Sequence, residues 1–270
     1  MYYDKSSLDE LFEESLSQSI EVRPGRNLYC RTLHLKHQHE QDGADIPNET
    51  TATNQRRIHI LFVHGSMAWS DQFEPLICSL GHTLLSRQQK DLPMLTCHLF
   101  DAFGCGKSRP KPSNFNASDV SERELANDLK AMCDRIRDSV GEGGEFFIVA
   151  HSYGTSQVVT MLGEASANIA VNGVIMIAGA VGGGSSQVAI DGGHSIFRLP
   201  VFVLNLIQSK LTNEFLSAAY FGTNMELRKY SGEKSNQNPM YIVKAFYRQT
   251  KWATKMDIIK LNVSFILKVS

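Results

Sequence analysis

The chain has 270 residues, 42% of them hydrophobic and 20% charged, with a formal net charge of −1. A chain of this length buries roughly three quarters of its unfolded surface, so one large domain is expected. The balanced charge excludes a global basic field for nucleic acid, and five scattered cysteines without C-x-x-C spacing exclude a disulfide framework and fit a reducing, cytoplasmic setting.

Residues 1–19 are polar and acidic with no apolar leader, and the domain proper is expected over 20–270. It opens with a hairpin, "IEVRPG" and "LYCRTLHLKH", turning at Pro24-Gly25. A polar linker covers about 38–57. Its His37, His39 and Glu40 make an incomplete ligand set, so a solvated loop is expected there, with no metal and no cofactor.

From Ile58, short apolar runs (Ile58–Val63, Leu95–Phe100, Phe146–Ala150, Val171–Ala178) alternate with helical patterns. That order predicts an α/β domain: a mostly parallel sheet with helices on both faces. After the second run stands "DAFGCGKSRP". Its Gly-Cys-Gly-Lys-Ser has the ring of a phosphate loop, but the motif needs glycine where Asp101 stands, so nucleotide binding is rejected. The clearest helix begins at Ser121, which with Glu124 forms a capping box before Leu125, Leu129, Met132 and Ile136 repeat at helical spacing.

The third run ends in Ala150-His151-Ser152-Tyr153-Gly154. Strand, sharp turn and helix around a serine with small residues two before and two after is the context of a nucleophile elbow. The plainer alternative is a helix-capping serine. His151 is expected to point away from the serine. After Ala178 the alternation gives way to helices over about 185–260, placed to lie over the sheet as a cap, before a strand returns at Val263–Val269. Cap aromatics Phe202, Phe215, Tyr220, Phe246 and Trp252 are read as ordinary core. The longest apolar run, Ile196–Ile207, is broken by Arg198 and Pro200, so no membrane span is expected; peripheral contact through the apolar cap stays open.

Three motifs, "FVHGS" at 62–66, "DAFGCGKS" at 101–108 and "VAHSYG" at 149–154, resemble in order and spacing those of the α/β-hydrolase superfamily. The cap is most similar to the protein-8-like subgroup of the abhydrolase-domain-containing proteins. The resemblance implies an α/β-hydrolase fold and a serine hydrolase acting on an ester, thioester or lipid acyl group. Ser152 would be the nucleophile, and the backbone N–H groups of Ser66 and Tyr153 would meet the oxyanion. His64, Gly65, Asp101, Gly104, Gly106, His151 and Gly154 would be structural parts of the motifs.

The superfamily order is Ser, then acid, then His. By resemblance both partners would come after later strands, beyond Ser270, which implies a truncated chain lacking its final strand and helix. Within the sequence His194 is the one histidine after Ser152, and Asp191 precedes it, so these two form the remaining acid and base candidates. A serine without its base loses about a million-fold in turnover. The competing expectation is therefore a catalytically dead relative that binds a protein partner.

Overall fold

The computed structural model describes residues 5–36, 56–87, 92–164, 169–178, 195–219, 225–249, 252–253, 257 and 266–269. The linker histidines His37 and His39 with Glu40, the cap aromatic Tyr220, and Asp191 and His194 lie outside these residues.

Helix α1 (Lys5–Leu11) leads into strands β1 (Phe12–Arg23), β2 (Arg26–Leu35) and β3 (Arg57–Val63), then helix α2 (Glu74–Ser86) and β4 (Met94–Phe100). Helix α3 (Glu122–Val140), β5 (Glu145–His151), α4 (Tyr153–Glu164) and β6 (Gly173–Ile177) complete the alternation. Among the described residues, cap helices α5 (Val201–Ala219), α6 (Met225–Asn236) and α7 (Met240–Gln249) precede β7 (Ile266–Val269). Among the described residues seven strands form one sheet in the order β1-β2-β4-β3-β5-β6-β7. β1, β2 and β4 pair antiparallel, and β4, β3, β5, β6 and β7 run parallel. Strands such as "RIHILFV" are mostly apolar, and wholly so from Ile60 to Val63, because helices cover both faces. Leu125, Leu129 and Met132 of α3 and Val158 and Met161 of α4 pack on one face, and Leu8, Leu11 and Ile77 of α1 and α2 on the other.

Two expectations are corrected. Strand β1 begins at Phe12, so residues 12–19, read above as a polar segment ahead of the domain, extend the hairpin. Most of their side chains face solvent at the sheet edge, which removes the apolar alternation that marks a strand. The capping box at α3 is half made. Ser121 Oγ accepts from the Glu124 N–H at 3.4 Å, but the Glu124 carboxylate takes a charged partner, Arg23 Nη2 at 2.8 Å, in place of the Ser121 N–H.

A ladder of histidines crosses the α3 face of the sheet. His59 and His98 share a hydrogen bond of 3.0 Å between Nδ1 and Nε2, and His34 bonds Thr96 Oγ1 at 3.1 Å. Burial and the neighbouring His59 and His34 push His98 down to about 3, and burial with His34 and Arg57 lowers His59. Both are therefore neutral in the fold and gain protons on unfolding below their ordinary range. Stability is fully present above about pH 6.5 and falls as the pH drops toward the folded values, by about 2 kcal/mol at pH 5 from His98 alone. Urea unfolding at pH 7.5 and pH 5 is expected to show this loss, and His98→Gln to reduce it; equal losses in both proteins would refute the assignment.

Candidate active site

Parallel α/β sheets bring their loops together beyond the carboxyl ends of the strands. Here the loops after β3, β4 and β5 meet. Strand β5 ends at His151 and α4 starts at Tyr153, so Ser152 alone makes the turn, with φ at +52°. Three bonds hold it there. The Ser152 N–H donates to Ile177 O at 2.9 Å, and the N–H and Oγ–H of Thr155 donate to Ser152 O at 3.0 and 2.6 Å.

Gly154 lets α4 touch the loop after β3: a Cβ there would sit 2.6 Å from Val63 O and 2.7 Å from His64 O. His64 is 2% exposed. Its Nδ1–H donates to Gly65 O at 2.9 Å and its Nε2 accepts from the Ala102 N–H at 2.8 Å, an arrangement that needs the neutral ring. Burial keeps it so, holding the imidazole below its ordinary range. Beyond it, the Ala68 N–H reaches back to Gly65 O at 3.3 Å in a tight turn that places Ser66 on a cavity wall and Met67 at φ +50°.

Asp101 joins the second loop to the first. Its Oδ1 accepts from the Ser70 N–H and its Oδ2 from the Lys107 N–H, each at 2.8 Å. Gly106, at φ +49°, has no room for a Cβ against that carboxylate, and Gly104, at φ +89°, abuts Ile242. The glycines thus shape the turn after β4. Lys107 Nζ donates to Tyr29 OH at 2.9 Å, and Ser108 Oγ–H donates to Asp101 O at 2.6 Å, so both are occupied within the scaffold.

Above the loops the cap encloses a cavity of about 840 Å³ with Ser66, His151 and Ser152 among its lining. Phe197, Leu211, Phe215, Val243 and Trp252 give it an apolar wall. At its polar end Asp71 accepts from Tyr230 OH at 2.6 Å and pairs with Lys234 Nζ at 2.8 Å, and Asn238 Nδ2 donates to Met67 O at 2.6 Å. These contacts tie cap to core. Met67, Ser152 and Ala178 (φ +47°) are the three non-glycine residues with positive φ among the described residues, and all three line this cavity.

The remaining sequence candidates divide. The Tyr153 side chain is fully buried between Phe246 and Trp252, with ring centroids at 5.0 and 5.3 Å, so only its backbone is available at the turn. His151 departs from expectation. It lines the cavity, its Nδ1 is 3.3 Å from Gln72 Nε2, and burial with nearby His64 lowers its basicity. The same point beside Gly65, where a Cβ would stand, is 3.1 Å from His151 Nδ1 and 3.0 Å from Ser152 Cβ, so the imidazole flanks the serine. His151 is the last paired residue of β5 and lies on the same face as Val149, toward Gln72, where that face opens into the cavity at the end of the strand. Of the cap aromatics, Phe246 is core, Phe215 and Trp252 line the cavity, and Phe202 is 68% exposed. Among the described residues no hydrogen bond joins Ser152 Oγ to a histidine, and no three His, Cys, Asp or Glu side chains are grouped to hold a metal. All five cysteines are buried and free.

Comparison with known proteins agrees with this architecture. The profile of the alpha/beta hydrolase family matches residues 60–254. A hydrolase from Pseudomonas aeruginosa PA01 superposes with a TM-score of 0.58 at 8% identity, covering 94% of this chain and 78% of that one. The hydrolase olei00960 from Oleispira antarctica gives 0.55 at 13% identity over 78% and 71% of the two chains. The haloalkane dehalogenase DatA from Agrobacterium tumefaciens C58 gives 0.52 at 12% identity over 91% and 69%. At such identities the likeness is one of fold. The search of curated proteins returned no match.

Proposed function

The chain belongs to the alpha/beta hydrolase family, and we propose that it is a serine hydrolase acting on an ester, thioester or lipid acyl group. The observation that carries this reading is Ser152, held at φ +52° on the floor of the cavity. Ser152 Oγ would attack the substrate carbonyl, its proton passing to a base. The oxyanion would be met by the backbone N–H groups of Tyr153 and Ser66, the leaving group would depart, and water would cleave the acyl-enzyme. His194, with Asp191, is the remaining candidate base that family order leaves within this sequence, the family's own pair being expected after later strands.

A serine hydroxyl also separates this reading from halide displacement, the reaction named for the dehalogenase of similar fold. Attack on an alkyl carbon would leave a serine ether, which water does not cleave. Attack on a carbonyl leaves an ester, which it does. The mostly apolar wall formed by Phe197, Leu211, Phe215 and Val243 suits an acyl chain.

A fluorophosphonate probe tests the proposal. The wild-type chain is expected to gain one adduct by intact mass, mapped to Ser152, and Ser152→Ala to gain none. A folded wild-type chain that stays unlabelled would overturn the hydrolase reading and favour a binding or scaffold protein with the same cavity.

A further inference from the structure

Helix α5 is apolar on opposite sides. Leu204 and Leu216 are buried and Leu211 lines the cavity, yet Phe202 is 68% exposed and Leu206 82% exposed, one turn apart on the outer face. Leu199, 38% exposed just ahead of the helix, extends the stripe. An exposed apolar stripe on a helix whose opposite side is already buried marks a surface that meets a partner or a lipid phase. No helix among the described residues is long and apolar enough to cross a membrane, so this one can only lie along such a phase.

Basic residues stand beside the stripe. Lys210 stands one turn beyond Leu206 on the same face and is 79% exposed at its side chain. Lys244 of α7 donates from Nζ to Leu199 O at 2.8 Å, which fixes it beside the start of the stripe, and Arg248 stands one turn further along α7. Arg198 adjoins Leu199 in sequence. Residues 195–213 and 240–249 contain no acid. The one acid of α5, Glu214, stands one turn beyond Lys210, is 65% exposed at its side chain and lies 4.0 Å from Lys210 Nζ, so it offsets part of one of these charges. The chain as a whole carries a net charge of −1, so this cap face is a local departure from it.

We infer that the outer face of the cap is a docking surface for an anionic lipid bilayer, with Phe202 and Leu206 inserted below the headgroups and Lys210, Lys244 and Arg248 at the phosphate level. Charge argues for this occupant. A second copy meeting the face about a two-fold axis would set Lys210, Lys244 and Arg248 against their own counterparts. A bilayer supplies apolar depth and negative charge together, and a single projecting stripe needs no shaped groove to enter it. The cations were invisible as a cluster in sequence because α5 and α7 contribute them separately.

Vesicle flotation of the full chain tests the inference. Binding to equimolar phosphatidylcholine and phosphatidylserine vesicles is expected to exceed binding to phosphatidylcholine alone by about tenfold and to weaken in high salt. Phe202→Ser with Leu206→Ser is expected to lower vesicle affinity by about tenfold or more, with circular dichroism and melting unchanged because both side chains are exposed. Lys210→Gln with Arg248→Gln should remove the preference for phosphatidylserine. Ser152→Ala should bind as the wild type does, so failure of the hydrolase reading leaves this result standing. The inference is overturned if the folded wild type floats with neither vesicle, if the double serine variant binds undiminished, or if sedimentation shows a Phe202-dependent dimer or protein complex in place of vesicle binding.

Discussion

Gly154→Ala is expected to lower the unfolding free energy by about 3 kcal/mol or more and to abolish fluorophosphonate labelling of the folded remainder. The added methyl would stand 2.6 Å from Val63 O, 2.7 Å from His64 O and 3.1 Å from Val63 C. These are backbone atoms of a central strand and its loop, and they cannot swing aside as the end of a side chain can. Relief must come from moving α4 away from β3, which drags Ser152 off the loop that carries Ser66. Gly163, near the far end of the same helix, is the control: nothing lies within 4 Å of its Cβ position. Gly163→Ala is expected to stabilise by up to about 1 kcal/mol through helix propensity. Urea unfolding of the two variants provides the check, and equal stability of the Gly154 variant and the wild type would refute the close approach.

Asp128→Ala is expected to cost about 3–5 kcal/mol, because it strands a buried cation. Asp128 is 1% exposed on α3 and Arg26 is 7% exposed at the start of β2. Oδ1 accepts from Arg23 Nη2 at 2.6 Å and Nε at 2.9 Å, and Oδ2 accepts from Arg26 through Nε at 3.1 Å and through Nη2. The Arg26 guanidinium also lies 3.6 Å over the ring of Phe103 and donates from Nη2 to Asp119 O at 2.9 Å, so without Asp128 it would keep a backbone carbonyl but no counter-charge in this cluster. By contrast, Lys130 and Asp134, about half exposed at 47% and 51%, form an ordinary surface pair. Asp134→Ala is expected to change stability by less than about 1 kcal/mol. Denaturant titration of both variants checks the contrast. If Asp128→Ala proved as mild as Asp134→Ala, the cluster would be relieved by water.

Much of this architecture was legible in the residues. Strands β3 to β6 announce themselves as apolar runs because helices cover both their faces, and α3 by a periodic stripe that faces the sheet. The turn at Ser152 was legible because a strand and a helix separated by one residue leave few conformations. Contacts between distant segments were not. The Glu124 carboxylate forgoes its own helix terminus for Arg23, 101 positions away. His151 reaches the cavity wall because the loop after β3 and the cap close over the end of β5, and both are distant in sequence. The substitution of charge for alternation along β1 hid eight strand residues at a solvated edge.

The left-handed conformations of Met67, Ser152 and Ala178 bear on how the protein can be improved. Each costs about 1–3 kcal/mol, and all three sit at the cavity while the rest of the described backbone reserves such angles for glycine. A search for heat-resistant variants guided by melting temperature alone would meet its cheapest gains here, by admitting glycine or local rearrangement, and would erode the cavity floor first. Hardening this scaffold without blunting it means holding those three positions fixed and selecting at the hairpin, at α3 and along the buried sheet.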